Sequence, residues 1–229
     1  MQHSQQKRKI ELVIFDCDGV LVDSELLSAQ MVIEVFAEIG VSVDLPFVYK
    51  YFVGHSFTTV AAQYARDHGK NIPENFVEEY RRRLLESFDG HLKPMLGIED
   101  VLSKLSVTSC VATGSSPTRV AKSLAVTGLM HHFERTVFTT SLVTKGKPSP
   151  DIFFYAAKAM GVSPQNCLVI EDSTAGVEGG KAAGMITWQF KGGVHFVKGY
   201  QHVRQPLLVD RVFDRMECFF ETVPHLRRG

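Results

Sequence analysis

The chain has 229 residues, 45% of them hydrophobic and 22% charged, the composition of an ordinary globular protein. Its 25 basic and 25 acidic residues cancel, so no global positive field is available to hold nucleic acid or an anionic membrane, and any anion site has to be built locally. The four cysteines, Cys17, Cys110, Cys167 and Cys218, include no CxxC pair, which argues against zinc ligation and disulfides and for a reducing, cytoplasmic compartment.

The basic start, MQHSQQKRK, precedes an apolar run far too short for a signal peptide or a membrane span, and it reads as a solvated end. The run itself, IELVIFD (10–16), reads as a buried strand. It ends in Asp16 and, one residue on, Asp18, followed by Gly19. From about Asp23 to Lys93 no strand pattern occurs. SELLSAQMVIEVFAEIG (24–40), SFTTVAAQYARDHG (56–69) and PENFVEEYRRRLLESFDG (73–90) read as amphipathic helices. Asp23 and Glu25 read as a hinge and a helix start. Arg81, Arg82 and Arg83 read as a solvated helix face.

Beyond residue 93 strands alternate with helices. The strands are SCVATG (109–114), TVFTTS (136–141), CLVIED (167–172) and MITWQF (185–190), and the helices are 98–106, 117–128, 151–161 and 174–184. Near-continuous apolar strands alternating with helices predict an α/β fold, a doubly wound, Rossmann-like parallel sheet covered on both faces. Residues 1–22 and 94–229 form its core domain, and 23–93 an inserted helical domain. Trp188 is assigned to the core. VDRVFDRMECFFETV (209–223) is expected to be a closing helix.

The strand ends share a chemistry. Asp16 and Asp18 point to one side of an extended chain and face the space beyond the strand, the edge where doubly wound sheets bind ligands. The second strand ends in Thr113 and Gly114 before a helix start, a hydroxyl and backbone N–H groups suited to an anion. The loop after the third carries Lys145 and Lys147, and the fourth ends in Glu171 and Asp172. Four carboxylates gathered together repel unless a cation lies among them, and hard divalent ions such as Mg²⁺ take oxygen ligands and bridge to phosphate. A calcium loop does not fit, because Val20 and Leu21 stand where the EF-hand pattern needs an acidic or amide residue and a glycine. EGGKAA is no P-loop either, since Ala175 and Ala182 stand where that motif needs glycine and a hydroxyl residue. The glycines 176, 179, 180 and 184 read as close helix packing and a helix end.

DCDGV, Thr113 after its apolar strand, GKPSPD and VIEDS resemble, in order and spacing, the four motifs of the haloacid dehalogenase-like hydrolases, and the insert resembles that superfamily's α-helical cap. The nearest likeness is to sugar-phosphate phosphatases and β-phosphoglucomutase-like members. The resemblance implies that Asp16 attacks phosphorus and forms an aspartyl-phosphate, and that Asp18 protonates the leaving alcohol and then takes a proton from water. It implies that Thr113, Gly114 and Lys147, rather than Lys145, hold the phosphoryl oxygens. It further implies a Mg²⁺ ion bound by Asp16, the Asp18 carbonyl and Asp172, with Glu171 binding it directly or through water. Relatives that cleave C–Cl bonds lack the second aspartate and phosphonate-cleaving ones carry alanine there, so Asp18 points to phosphate esters. The stretch YFVGHSFTTV (51–60) resembles the cap loop that closes over substrate, with Gly54, His55, Ser56 and Thr58 as candidate specificity residues.

The expected function is a Mg²⁺-dependent phosphatase of small phosphorylated metabolites, sugar phosphates above all, acting as a monomer or weak homo-oligomer without nucleic-acid or membrane partners. A sugar phosphomutase of the β-phosphoglucomutase type is the alternative, and a non-catalytic binding protein on the same fold is the third reading.

Overall fold

The structure, a computed structural model, describes residues 9–52, 72–197 and 208–229, together with 60, 63, 64, 67 and 69. Six strands form one parallel sheet: β1 (Leu12–Phe15), β2 (Thr108–Thr113), β3 (Val137–Thr139), β4 (Cys167–Glu171), β5 (Ile186–Phe190) and β6 (Arg211–Phe213), in the order β3-β2-β1-β4-β5-β6. β1 lies in the middle, with Leu12 opposite Thr108 of β2 and Cys167 of β4. The chain therefore runs outward in both directions from β1, and the crevice of such a sheet opens at the carboxyl ends of the strands flanking that switch.

All four β1 residues are buried because helices cover both faces. Leu12 and Ile14 pack with Ile152, Phe153 and Ala156 of the helix Asp151–Ala159. Val13 and Phe15 point to the other side and join a larger core that includes Leu168, Ile170 and Trp188. Period-two alternation splits one strand between two cores, and with both faces covered the strand shows no polar alternation.

Three described helices lie between Asp23 and Lys93, where the chain leaves the sheet: α1 (Glu25–Glu38), α2 (Leu45–Tyr51) and α3 (Phe76–His91). Phe36 of α1 is their centre, with ring centroids 5.0 Å from Phe76, 5.0 Å from Tyr64 and 5.5 Å from Phe52, all edge to face. Such pairs add about 0.5–1.5 kcal/mol each beyond burial. The outgoing and returning chains run side by side. The Asp23 N–H donates to the Lys93 carbonyl (3.1 Å), the Met95 N–H donates to the Leu21 carbonyl (2.8 Å), and Val22 bridges Pro94. The rest of the sheet is covered by α4 (Ile98–Lys104), α5 (Pro117–Val126), α6 (Asp151–Ala159) and α7 (Thr174–Ala182), with short α8 (Val194–Val197) and α9 (Phe219–Thr222) nearer the C-terminus. Among the described residues no helix is long and apolar enough to cross a membrane.

Three features depart from the sequence reading. The segment expected to be one closing helix is edge strand β6 followed by a 3₁₀ turn (Met216–Cys218) and α9. Its buried residues Phe213, Met216, Phe219 and Phe220 have a helix-like spacing, but Phe213 is fixed by rings of β5, 5.8 Å from Trp188 and 5.1 Å from Phe190. The strand read over 136–141 stops at Thr139, and a 3₁₀ turn takes Thr140–Leu142. Helix α2 has too few residues to display a period; it starts on Asp44, whose side chain accepts a hydrogen bond from the Phe47 N–H (2.8 Å), and carries Pro46 in its first turn. The helix expected over 56–69 lies largely outside the described residues.

Candidate active site

The carboxyl ends of β1 and β4 bring Asp16, Glu171 and Asp172 together, with one oxygen of each lying within 4.8 Å of the others. All three are buried. Asp16 is the residue after β1, and its N–H donates to the Ile170 carbonyl (3.0 Å), so strand pairing continues up to the carboxylate. Lys147 reaches into the group from the loop before α6. Its ammonium donates to Asp16 Oδ1 (2.7 Å), to Glu171 Oε1 and to the Ala112 carbonyl at the end of β2 (2.9 Å). Those three bonds use all of its N–H donors. Glu171 is fully engaged, because its second oxygen accepts from the Ser173 N–H (3.1 Å) and hydroxyl (2.9 Å). Gly176 makes room for that carboxylate: a Cβ there would lie 1.9 Å from it.

One ammonium does not balance three buried carboxylates. Burial pushes the Asp16 pKa up to about 7 against the pull of Lys147. Burial also raises those of Glu171 and Asp172, while burial works to lower that of Lys147 and the Asp16 and Glu171 carboxylates hold it above the ordinary lysine range. A compact set of hard oxygen donors with excess negative charge fits a divalent cation.

Asp18 faces a different set of partners. Gly19, at φ +77°, turns the chain back, and its N–H donates to the Val22 carbonyl (2.9 Å). The Asp18 carboxylate accepts from the Ser24 and Ser115 hydroxyls and from Arg119 Nη2 (2.7 Å). Burial works to raise its pKa, but Arg119 and the two hydroxyls together hold it below the usual carboxylate value. Arg119 also donates to Ser28 Oγ (3.0 Å) and stacks over the Phe88 ring at 5.8 Å. It is placed by the start of α5, where Ser116 Oγ caps its backbone N–H.

Asp16, Asp18 and Asp172 open into a cavity of about 770 Å³. Its floor includes Gly114, Ser115 and Ser116, the turn between β2 and α5. The opposite wall comes from α1, α2 and α3. Ala29, Val32, Val48, Leu84 and Leu85 make it apolar, while Glu25, Tyr80 and Arg81 add polar groups. Burial, reinforced by the nearby Asp172 and Asp18 charges, raises the Glu25 pKa to about 7.

The structure thus brings Asp16, Lys147, Glu171 and Asp172 into one cluster and sets Asp18 and Gly114 on the same cavity. Thr113 is buried at the end of β2 and accepts from the Ser115 N–H (3.1 Å). Lys145 remains exposed. Gly54, His55, Ser56 and Thr58 lie outside the described residues. The arginine run divides: Arg82 pairs with Glu79 and Glu86, Arg83 with Glu38 and Glu79, and Arg81 lines the cavity with no carboxylate partner among the described residues. Arg81 and Arg82 are exposed and Arg83 is half-buried, in keeping with the sequence reading of a solvated face, and Arg81 in addition borders the cavity. The sequence reading passed over Ser115 and Arg119, although SSPTR after a strand end places both on the helix turn that faces the crevice. Glu25, read as a helix start only, is a cavity group as well.

The family model described as haloacid dehalogenase-like hydrolase matches residues 10–184. Among curated proteins, the 6-phosphogluconate phosphatase of Escherichia coli is 32% identical over 183 residues, covering 80% of this chain and 83% of that one. The β-phosphoglucomutase of Bacillus subtilis is 29% identical over 190 residues, covering 77% and 81%. Among solved structures, a hydrolase of the same family from Deinococcus radiodurans, with bound phosphate and sodium, superimposes with a TM-score of 0.78 at 30% identity, over 96% of this chain and 97% of that one.

Proposed function

The chain belongs to the haloacid dehalogenase-like hydrolases, and we propose that it is a Mg²⁺-dependent phosphatase of small phosphorylated metabolites, sugar phosphates in particular, in which residues 23–93 act as a cap over the site. The observation that carries this reading is the buried Asp16–Glu171–Asp172 cluster with Lys147, opening beside Asp18 into a cavity large enough for a sugar phosphate.

Asp16 is the nucleophile. Its Oδ1 is held by Lys147, which fixes the carboxylate's rotation and leaves the other oxygen to attack phosphorus and form an aspartyl-phosphate. Thr113 and Gly114 receive the phosphoryl oxygens at the turn that opens α5, where backbone N–H groups and the helix start favour an anion, and Lys147 joins them by giving up one of its three present bonds. Asp16, the Asp18 carbonyl and Asp172 are the residues to hold the ion, with Glu171 beside them. When bound there, a divalent cation supplies the positive charge that lets a carboxylate and a phosphate approach each other. The structure with bound phosphate and sodium is a relative's precedent for an anion and a cation on this fold.

Asp18 is the acid and then the base. Its ties to Arg119, Ser24 and Ser115 favour the ionised form, which suits accepting a proton from water but not donating one. The acid step therefore requires the incoming leaving group to take Asp18 away from Arg119. On the cap side Arg81, without a carboxylate partner among the described residues, offers a cation to a second anionic group, and the sequence 51–60 contains no arginine or lysine. The substrate named for the E. coli relative, 6-phosphogluconate, carries such a carboxylate.

The test is a panel of phosphorylated sugars and sugar acids assayed for free phosphate in Mg²⁺ and in EDTA. Phosphate release that depends on the ion supports the reading. Accumulation of isomerised sugar phosphate without free phosphate would make the protein a mutase, as its likeness to β-phosphoglucomutase allows. No turnover of any ester would leave a binding protein.

A further inference from the structure

His195 lies outside the motifs that define the site, yet it is 1% exposed and its Nε2 is 3.4 Å from Asp172 Oδ2. Neither ring nitrogen makes a well-aligned hydrogen bond among the described residues, and the Asp172 carboxylate is the charged group that Nε2 approaches. A buried imidazole is costly unless a polar neighbour compensates it. The chain is shaped to deliver it there. Gly192 and Gly193 precede it, and a Cβ at Gly193 would come within 2.5 Å of the His195 ring, while one at Gly192 would come within 2.4 Å of the Asp214 carbonyl. The Val194 N–H is anchored on Asp23 Oδ1 (3.3 Å), at the point where the chain leaves the sheet for the insert.

The ring has little freedom to swing away. Tyr49 of α2 stacks on it nearly parallel, at 6.3 Å and 18°, and Phe196 lies 4.3 Å from it. Asp172 is confined just as closely. A Cβ at Gly19 would lie 2.0 Å from Asp172 Oδ2, and the Asp172 carbonyl accepts from Gln189 Nε2 (3.1 Å). The Asp172 carboxylate therefore lies between Gly19 on one side and the buried imidazole of His195 on the other.

We propose that His195 is a positioning residue that, through its ring N–H, fixes the Asp172 carboxylate in the orientation that binds the divalent ion. The inference rests on Asp172 being a ligand of that ion. Groups that hold a metal-ligating side chain from behind are worth roughly 10–100-fold in metal affinity.

The test is Mn²⁺ binding to metal-stripped protein, read as free Mn²⁺ by electron paramagnetic resonance, with thermal unfolding in EDTA alongside. His195→Phe keeps a ring against Tyr49 but has no N–H, and its Mn²⁺ Kd is expected to rise roughly 10–100-fold. His195→Gln places an amide N–H near the position of Nε2 and is expected to recover most of that loss. A wild-type Kd in His195→Phe overturns the inference. Equal weakening in the Phe and Gln variants also overturns it, because the ring's packing and not its N–H would then be what matters. Should the Phe variant fail to fold, His195→Asn, whose shorter amide falls short of Asp172, takes its place with the same expected loss. Failure of the wild-type protein to bind Mn²⁺ at all removes the ion site itself, an outcome distinct from either of these.

Discussion

The two walls of the cavity are built by different rules. On the sheet side, side chains are tied down: Lys147 makes three bonds, Glu171 commits both oxygens, and Asp18 accepts from three donors. On the helical side Val32, Val48, Leu84 and Leu85 present methyl groups, and Arg81 stands without a partner carboxylate among the described residues. A rigid, charge-dense wall suits chemistry that is the same for every phosphate ester. A smoother wall with one unpaired cation suits selection among leaving groups. Changes on the first wall should then lower turnover of all substrates together, and changes on the second should re-rank them.

The largest effect is expected at Asp16. Asp16→Asn removes the proposed nucleophile while keeping the volume, and kcat should fall on the order of 10³-fold or more for every ester, measured by phosphate release at saturating substrate. A variant with near-normal turnover would remove Asp16 from the chemistry. Asp18→Asn comes next and should be graded. Esters with poor alcohol leaving groups lose the most and activated aryl phosphates the least, because only the former need a proton. Equal losses on both would count against the acid role.

On the opposite wall the expected change is smaller and selective. Arg81→Gln should lower kcat/KM for phosphorylated sugar acids roughly tenfold, the scale of one charged hydrogen bond, and leave neutral sugar phosphates nearly unchanged. A uniform loss across both classes would erase the distinction between the walls.

The smallest effect is on stability. Asp16 and Glu25 have folded-state pKa values of about 7, above those of free carboxylates. The native state therefore holds more protons than the unfolded chain between about pH 4 and 7, and stability falls as pH rises through that window. In EDTA, Tm should rise as the protein is taken from pH 8 toward pH 5.5. Mg²⁺ should raise Tm most at the alkaline end, where the carboxylates are ionised and bind it best. A metal-free Tm that falls over the same acidification would mean that these carboxylates are not uncompensated.

The chemical wall was legible because its groups stand at strand ends. Asp16, Thr113, Glu171 and Asp172 each close an apolar run, and a polar residue in that position has few bland explanations. The parallel sheet was legible for the same reason, since β1 and β4 are near-continuous apolar runs and β2 and β5 are buried over most of their length. The other wall is written in helix phase. Which of three consecutive arginines borders the cavity depends on the rotation of α3, and that is fixed by Phe76, Leu84 and Phe88 going into the core. Arg119 was hidden in the same way by the start of α5. His195 was hidden because the segment around it has no period at all, and its position depends on two glycines that let the chain fold back. Strand β6 escaped because three residues at a sheet edge are too few to alternate.

The central claim is that Asp16 carries the phosphoryl group. Rapid acid quench of the enzyme turning over a sugar phosphate in Mg²⁺, followed by borohydride reduction and peptide mass spectrometry, tests it directly. Reduction of the acyl-phosphate to homoserine is expected at position 16 and at no other carboxylate. Phosphate release at full rate with Asp16 recovered unmodified, or homoserine found elsewhere, would contradict it.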